Sequence, residues 1–239
     1  MKYFRLLAMV PPLPGAPDAP PISLGELTEL YDADMAEGDR ALAATLLGFL
    51  DCRNVEARLQ GYDVFDERAP LTAEAIEEKA ELPEYLEEFL AAHESGSISD
   101  PFPYDALWRA YFTHLVEVAE SSRSVFLREW ASFEITLRDA LARQRAEGLG
   151  EKGDMRISGV PVDEGESHAG LLSTLAEAAN PMERERLLDA SRLAKIESIS
   201  GIDPFSTDAA LSYLAAILIL DRWDVGKAAD VTKMLEVFA

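Results

Sequence analysis

Three stretches of this chain set charged or hydrogen-bonding side chains inside apolar helical runs. In Phe49-Leu50-Asp51-Cys52-Arg53-Asn54-Val55-Glu56-Ala57-Arg58, the residues Asp51, Asn54 and Arg58 fall on one helical stripe. In Trp130 to Leu141, Glu134 and Arg138 stand one turn apart, and Arg143 and Arg145 follow. The third, Tyr213 to Trp223, ends its apolar run in Asp221-Arg222-Trp223. Opposite charges one turn apart pair along a helix. That pairing either stays on a helix exterior, where it is worth tenths of a kcal/mol, or bridges helices or partners.

Other reactive residue types give no specific pattern. The three histidines, His93, His114 and His168, are scattered, and none has a second ligand at the short spacing that a zinc site wants. No metal and no cofactor is expected. Cys52 is the only cysteine, which leaves no intrachain disulfide and points to a reducing compartment. The Asp51 carboxylate beside it raises a thiol pKa, the wrong direction for a nucleophile, so a buried small apolar role is expected. Gly226-Lys227 lacks the upstream glycine loop of a phosphate cradle. Surplus carboxylates on solvated helices offer no acid–base pair. A non-catalytic protein is therefore expected.

The elements that must carry these residues read as helices. Residues 2–10 suit a short strand or an extended lead-in, and prolines at 11, 12, 14, 17, 20 and 21 forbid regular structure through residue 21. Ser23-Leu24-Gly25-Glu26 is a capping box. A second helix covers about residues 40–60. Thr72 is an N-cap candidate, and Leu82-Pro83 marks a new helix start. Trp108, Tyr111, Phe112, Leu115 and Ala119 follow at helical spacing, as do Phe126, Trp130, Phe133, Leu137 and Leu141. Helical spacing alone explains these aromatic stripes as core. Asn180-Pro181 separates two further helices, 168–179 and 181–198. Ser206 or Thr207 caps an apolar helix to Trp223, and Asp224 caps a last one, 225–238. The pattern predicts an all-α multi-helix bundle with a possible N-terminal strand. Its expected organisation is a Pro-rich lead (1–22), a helical region (23–147), a flexible linker or loop (148–167), and a C-terminal helical region (168–239) packing on the first as one composite domain.

Charge narrows the partners. Asp and Glu number 44 against 22 Lys and Arg, a net charge of -22. A nucleic-acid binder needs a basic footprint to neutralise phosphates, and an anionic membrane surface repels this chain. Residues 63–94 concentrate the effect, with 11 acidic residues against Arg68 and Lys79. The block reads as a solvated helix face or as a docking surface for a basic partner. The apolar N-terminal run is cut by Arg5 and ends at Pro11, short of a signal peptide's typical core of about 7–15 residues. Leu214 to Leu220 is far below the roughly 20 residues of a membrane span. A cytoplasmic protein without direct membrane insertion is expected.

At Asp51-x-x-Asn54-x-x-x-Arg58 the sequence resembles the helix signature of the C subunit of bacterial and archaeal V-type ATPases, known as d in eukaryotes. More of the chain resembles a family encoded in V-type ATPase operons of some bacteria. The matching features are Lys2-Tyr3-Phe4, the Val10-Pro11-Pro12-Leu13 lead, the Ile22-Ser23-Leu24 start, and the stretch from Phe205-Ser206-Thr207-Asp208 to Arg222-Trp223. The resemblance implies an all-helical, non-catalytic adaptor between the central stalk and the membrane rotor ring, active in proton or sodium ion transport. Its partners would be the stalk proteins and the ring, with no nucleic acid and no small-molecule substrate. It would sit in the cytoplasm, peripheral to the membrane through the ATPase complex. Asp51, Asn54, Arg58, Glu134, Arg138, Arg222 and Trp223 would serve partner contact or helix bridging. The alternative expectation is a soluble helical chaperone or assembly factor for a multisubunit complex.

Overall fold

The computed structural model describes residues 2–16, 18–98, 103–148, 159–160, 162 and 167–228, with side chains through residue 223. Among these the chain is all-helical and contains no strand. The helices are α1 (Phe4–Met9), α2 (Leu24–Asp34), α3 (Glu37–Leu59), α4 (Ala73–Glu78), α5 (Glu84–Glu94), α6 (Pro103–Ser121), α7 (Val125–Gly148), α8 (Ala169–Ala176), α9 (Pro181–Ile199) and α10 (Thr207–Ala228). None is long and apolar enough to cross a membrane. The chain divides into two compact units. One is Met1–Glu37 with Ser173–Ala239, and the other is Gly38–Leu172.

In the first unit α10 packs on α9 and α2, and α1 packs on α2. Every residue from Ala210 to Ile217 is buried, so this stretch of α10 is enclosed on all sides, as a helical run apolar all round must be. Its N-terminal half is tied by the Tyr31 hydroxyl, which donates to the Ala210 carbonyl at 2.5 Å. Three starts follow their sequence signals. The Ser23 hydroxyl accepts from the Glu26 amide while the Glu26 carboxylate accepts from the Ser23 amide. Asn180 accepts from the Glu183 amide at 2.8 Å, with Pro181 in the first turn. Ser206 accepts from the Ala209 amide at 3.1 Å.

The N-terminal strand reading is corrected: residues 4–9 are helical. Tyr3 and Leu6, three apart, are buried while Phe4 and Met9 are exposed, a helical period rather than a strand's alternation. A strand would also need a ladder partner, and none stands beside it among the described residues. Instead the Lys2 and Tyr3 amides both donate to the Phe205 carbonyl at 3.0 and 2.9 Å, and the Phe4 and Phe205 rings lie 4.8 Å apart. Val10, extended before Pro11, ends the helix.

The helix expected to start after Asp224 is continuous with α10. No break falls at Asp224, because α10 continues through it to Ala228. An N-cap residue opens a new helix only where the backbone leaves helical geometry, and here α10 runs on through Asp224. The rest of the predicted 225–238 helix, and most of the predicted 148–167 linker, lie outside the described residues.

In the second unit α6 packs on both α5 and α7. Tyr111, Phe112, Leu115 and Ala119 of α6 are buried, as are Phe126, Trp130, Phe133, Leu137 and Leu141 of α7. Both aromatic stripes are core. Gly48 in the middle of α3 has a packing reason: a Cβ there would sit 3.1 Å from the Tyr85 hydroxyl oxygen and 3.4 Å from the Tyr111 ring. The Thr72 hydroxyl accepts from the Ala75 amide and opens α4.

Candidate functional site

The residues singled out above form three polar clusters, each joining separate elements within one unit. On α3, Asp51, Asn54 and Arg58 project toward the segment that runs from Gln60 into α4. Asn54 makes a two-point clasp on one residue. Its amide nitrogen donates to the Asp66 carbonyl at 2.9 Å, and its oxygen accepts from the Asp66 amide at 2.8 Å. The Asp66 side chain in turn accepts from the Arg68 guanidinium through both oxygens at 2.7 Å. Burial works to raise the Asp66 pKa, and the hydrogen bonds from Arg68 outweigh it, leaving the carboxyl below its ordinary value.

Three residues before Asn54, Asp51 is buried, and its carboxylate accepts from the Leu71 amide at 2.9 Å. Burial pushes its pKa up to about 6 against the opposing effect of that hydrogen bond. Farther out, Arg58 pairs with Glu77 of α4 at 3.1 Å on an exposed surface. The stripe therefore grips Asp66, Leu71 and Glu77 in turn. Asp51 and Arg58 do not pair with each other.

The second cluster surrounds Arg138. Its Nε lies 3.5 Å from the buried Glu134 carboxylate one turn earlier on α7. Its guanidinium carbon stands 5.0 Å from the Phe112 ring centre, 5.4 Å from Trp108 and 5.6 Å from Phe49. A planar cation over aromatic faces gains electrostatic attraction and stacking together. The Trp108 indole then donates to Glu56 of α3 at 2.9 Å. Helices α3, α6 and α7 meet at this one side chain.

The third cluster centres on Asp189, a residue not singled out by its sequence context. Asp189 is wholly buried on α9 and accepts from three donors. Arg192 and Arg222 reach one oxygen at 3.0 and 3.2 Å, and the Trp223 indole reaches the other at 3.1 Å. Arg222 also pairs with Glu185 at 3.0 Å. One signal was available: Asp189 and Arg192 sit three apart inside a helix whose neighbours Leu188 and Ile196 are core.

Cys52 is buried with its sulfur 3.9 Å from the Tyr85 hydroxyl oxygen. Burial, with the Asp51 carboxylate adding to it, raises the thiol well above its ordinary value and keeps it protonated. His114 stacks on Tyr85 at 4.8 Å, and burial lowers its pKa. The His168 ring nitrogen Nε2 lies 2.9 Å from the Thr136 hydroxyl oxygen. Among the described residues no group of three or more His, Cys, Asp or Glu could hold a metal ion.

The first unit also carries a half-open groove of about 760 Å³. Leu7, Pro11 and Leu13 form one wall, and Leu193, Ala194 and Tyr213 form the other. The Tyr213 hydroxyl donates to the Pro11 carbonyl at 2.8 Å, which holds the proline-rich lead across α10. Burial pushes that phenol up to about 12.

No protein-family model, no curated protein and no solved structure matches this chain.

Proposed function

We propose that this protein is a non-catalytic adaptor, similar to the C subunit of a V-type ATPase or ATP synthase, that couples the central stalk to the membrane rotor ring during ion transport. The observation that carries the reading is the use of its charged signatures. Asp51, Asn54, Arg138, Arg222 and Trp223 each brace one element of the chain against another, and Glu134 pairs with Arg138 along α7. Buried polar side chains that bridge elements rigidify a helical scaffold and favour one packing. A part that passes torque between two others needs that stiffness and needs no reactive group. The all-helical architecture and the resemblance at Asp51-Asn54-Arg58 agree with it. The acidic surface would face basic elements of the stalk or of the ring's cytoplasmic loops. The protein would then be cytoplasmic and reach the membrane only through the complex.

The test is capture of the tagged protein from gently solubilised membranes of its own organism, with mass spectrometry of what accompanies it. Stalk and ring proteins at near-equal stoichiometry are expected. A protein recovered alone in the soluble fraction overturns the reading.

The groove favours a second reading, a soluble helical chaperone or assembly factor. Its apolar walls suit transient capture of an apolar segment of a client. This reading requires a free monomeric pool and substoichiometric clients, which the same experiment measures.

A further inference from the structure

We propose that the segment between Asp66 and Leu71 is a flap on α3 which protonation of Asp51 latches shut at its Leu71 end. The geometry carries this. Asp51 is 2% exposed, and its carboxylate has one hydrogen bond, from the Leu71 amide. Cys52 on its own helix, Tyr85 on α5 and Tyr111 on α6 lie near enough for its charge to raise their pKa values. All three are held protonated by burial, so they stay neutral across the acid and neutral range.

The charged groups nearby are engaged elsewhere. Arg68 is taken by Asp66, Arg53 acts on Asp66, and Glu56 accepts from Trp108. Arg138 and Glu134 pair with each other beyond Tyr111, and His114 lies against the Tyr85 ring. A buried carboxylate without a cation is costly in its charged form and cheap in its neutral form.

Lifting the Leu71 end breaks the single hydrogen bond and admits water to Asp51. Ionised Asp51 gains that hydration only when the flap is open, so raising the pH drives opening and lowering it drives closure. Closed, the group titrates at about 6, against 3.8 for an ordinary aspartate. At tenfold per unit, that difference multiplies the opening constant by roughly 160-fold in all, of which about 60-fold falls between pH 4 and 7.5. Asn54 has no titrating group and holds Asp66 at every pH, so the Asp66 end is the hinge.

The experiment is amide hydrogen exchange at single-residue resolution from pH 4 to 7.5, corrected for intrinsic exchange, on the full chain. Leu71 should open more often than the core amide of Leu115 at every pH, and its opening constant should rise about 60-fold across the range. D51N keeps an acceptor for the Leu71 amide and should give a constant opening value. H114Q should keep the wild-type rise, which separates Asp51 from the neighbouring imidazole. Carbon-13 titration of the wild-type Asp51 carboxyl needs no variant and should show a midpoint of about 6. A midpoint at an ordinary aspartate's value, a Leu71 amide that exchanges only with global unfolding, or a rise that survives in D51N would each overturn the proposal.

Discussion

The Trp223 indole and the Asp189 carboxylate meet at 3.1 Å, which ties the C-terminal half of α10 to the middle of α9. Arg192 and Arg222 complete the shell of the same carboxylate, one from each helix. Removing Asp189 takes one buried acceptor from Arg192, Arg222 and the Trp223 indole at once, and the Arg192 side chain is only 10% exposed. D189A should therefore cost about 3–5 kcal/mol of unfolding free energy. Arg222 is 40% exposed, and R222A should cost about 1 kcal/mol or less. Urea denaturation midpoints decide this, and equal losses would mean that Asp189 is not the centre of the cluster.

At Arg138 the pair and the aromatic box can be separated. R138A removes the cation 3.5 Å from the buried Glu134 carboxylate and empties the space between three rings. It should destabilise by about 3 kcal/mol or more. R138M combined with E134Q removes both charges while keeping an apolar chain against the rings, and should recover most of that loss. A double variant as unstable as R138A would show that the cation over the rings, and not the ion pair, carries the energy.

Stability should fall with pH in a window set by Asp51. Its folded pKa is raised to about 6 from 3.8, so the native state holds a proton that the unfolded chain releases. The stabilisation is complete below the unfolded value and is lost as the pH climbs through the folded one. The loss is up to about 3 kcal/mol at 1.36 kcal/mol per unit. D51N should lack this component and be more stable than wild type at pH 7.5. Denaturation of both proteins from pH 4 to 8 gives the difference, and parallel curves would contradict the assignment.

Asn54 acts through geometry alone. N54A removes a donor and an acceptor from Asp66 at once and should cost about 1–3 kcal/mol. N54D keeps the acceptor but sets a buried carboxylate against the Asp66 carbonyl, and at neutral pH should be less stable than N54A. Heat or urea unfolding monitored by circular dichroism checks the order.

The adaptor reading makes the exposed carboxylates of α5 interaction partners. Reversing Glu84, Glu87 and Glu88 to Lys should weaken assembly with the stalk or the ring about tenfold at low ionic strength, and the gap should close as salt screens the surface. Unchanged assembly at low salt removes α5 from the interface.

Much of the secondary structure was legible because its signals are local. Ser23 with Glu26, Thr72, Asn180 with Pro181, and Ser206 cap the helices that follow them, since each cap is made within three residues. The aromatic stripes of α6 and α7 turned inward for the same reason, helical period being readable along one segment. Where the local signal was brief it misled. Six residues from Phe4 to Met9 are too few to separate a strand from a helix, and Asp224 has a cap's chemistry without a cap's backbone.

The site residues divide along the same line. Their types and their shared stripe could be read from Asp51, Asn54 and Arg58, but their partners could not. Asp51 binds an amide 20 residues away, and Arg222 a carboxylate 33 residues away. Residue order alone dictates an acidic, helical chain with apolar faces and braces spaced to meet something, because composition and period act over one or two turns. What each brace holds depends on long-range packing. Burial of Asp189 and Asp51, and the ring box around Arg138, exist only once separate helices have closed around them and excluded water.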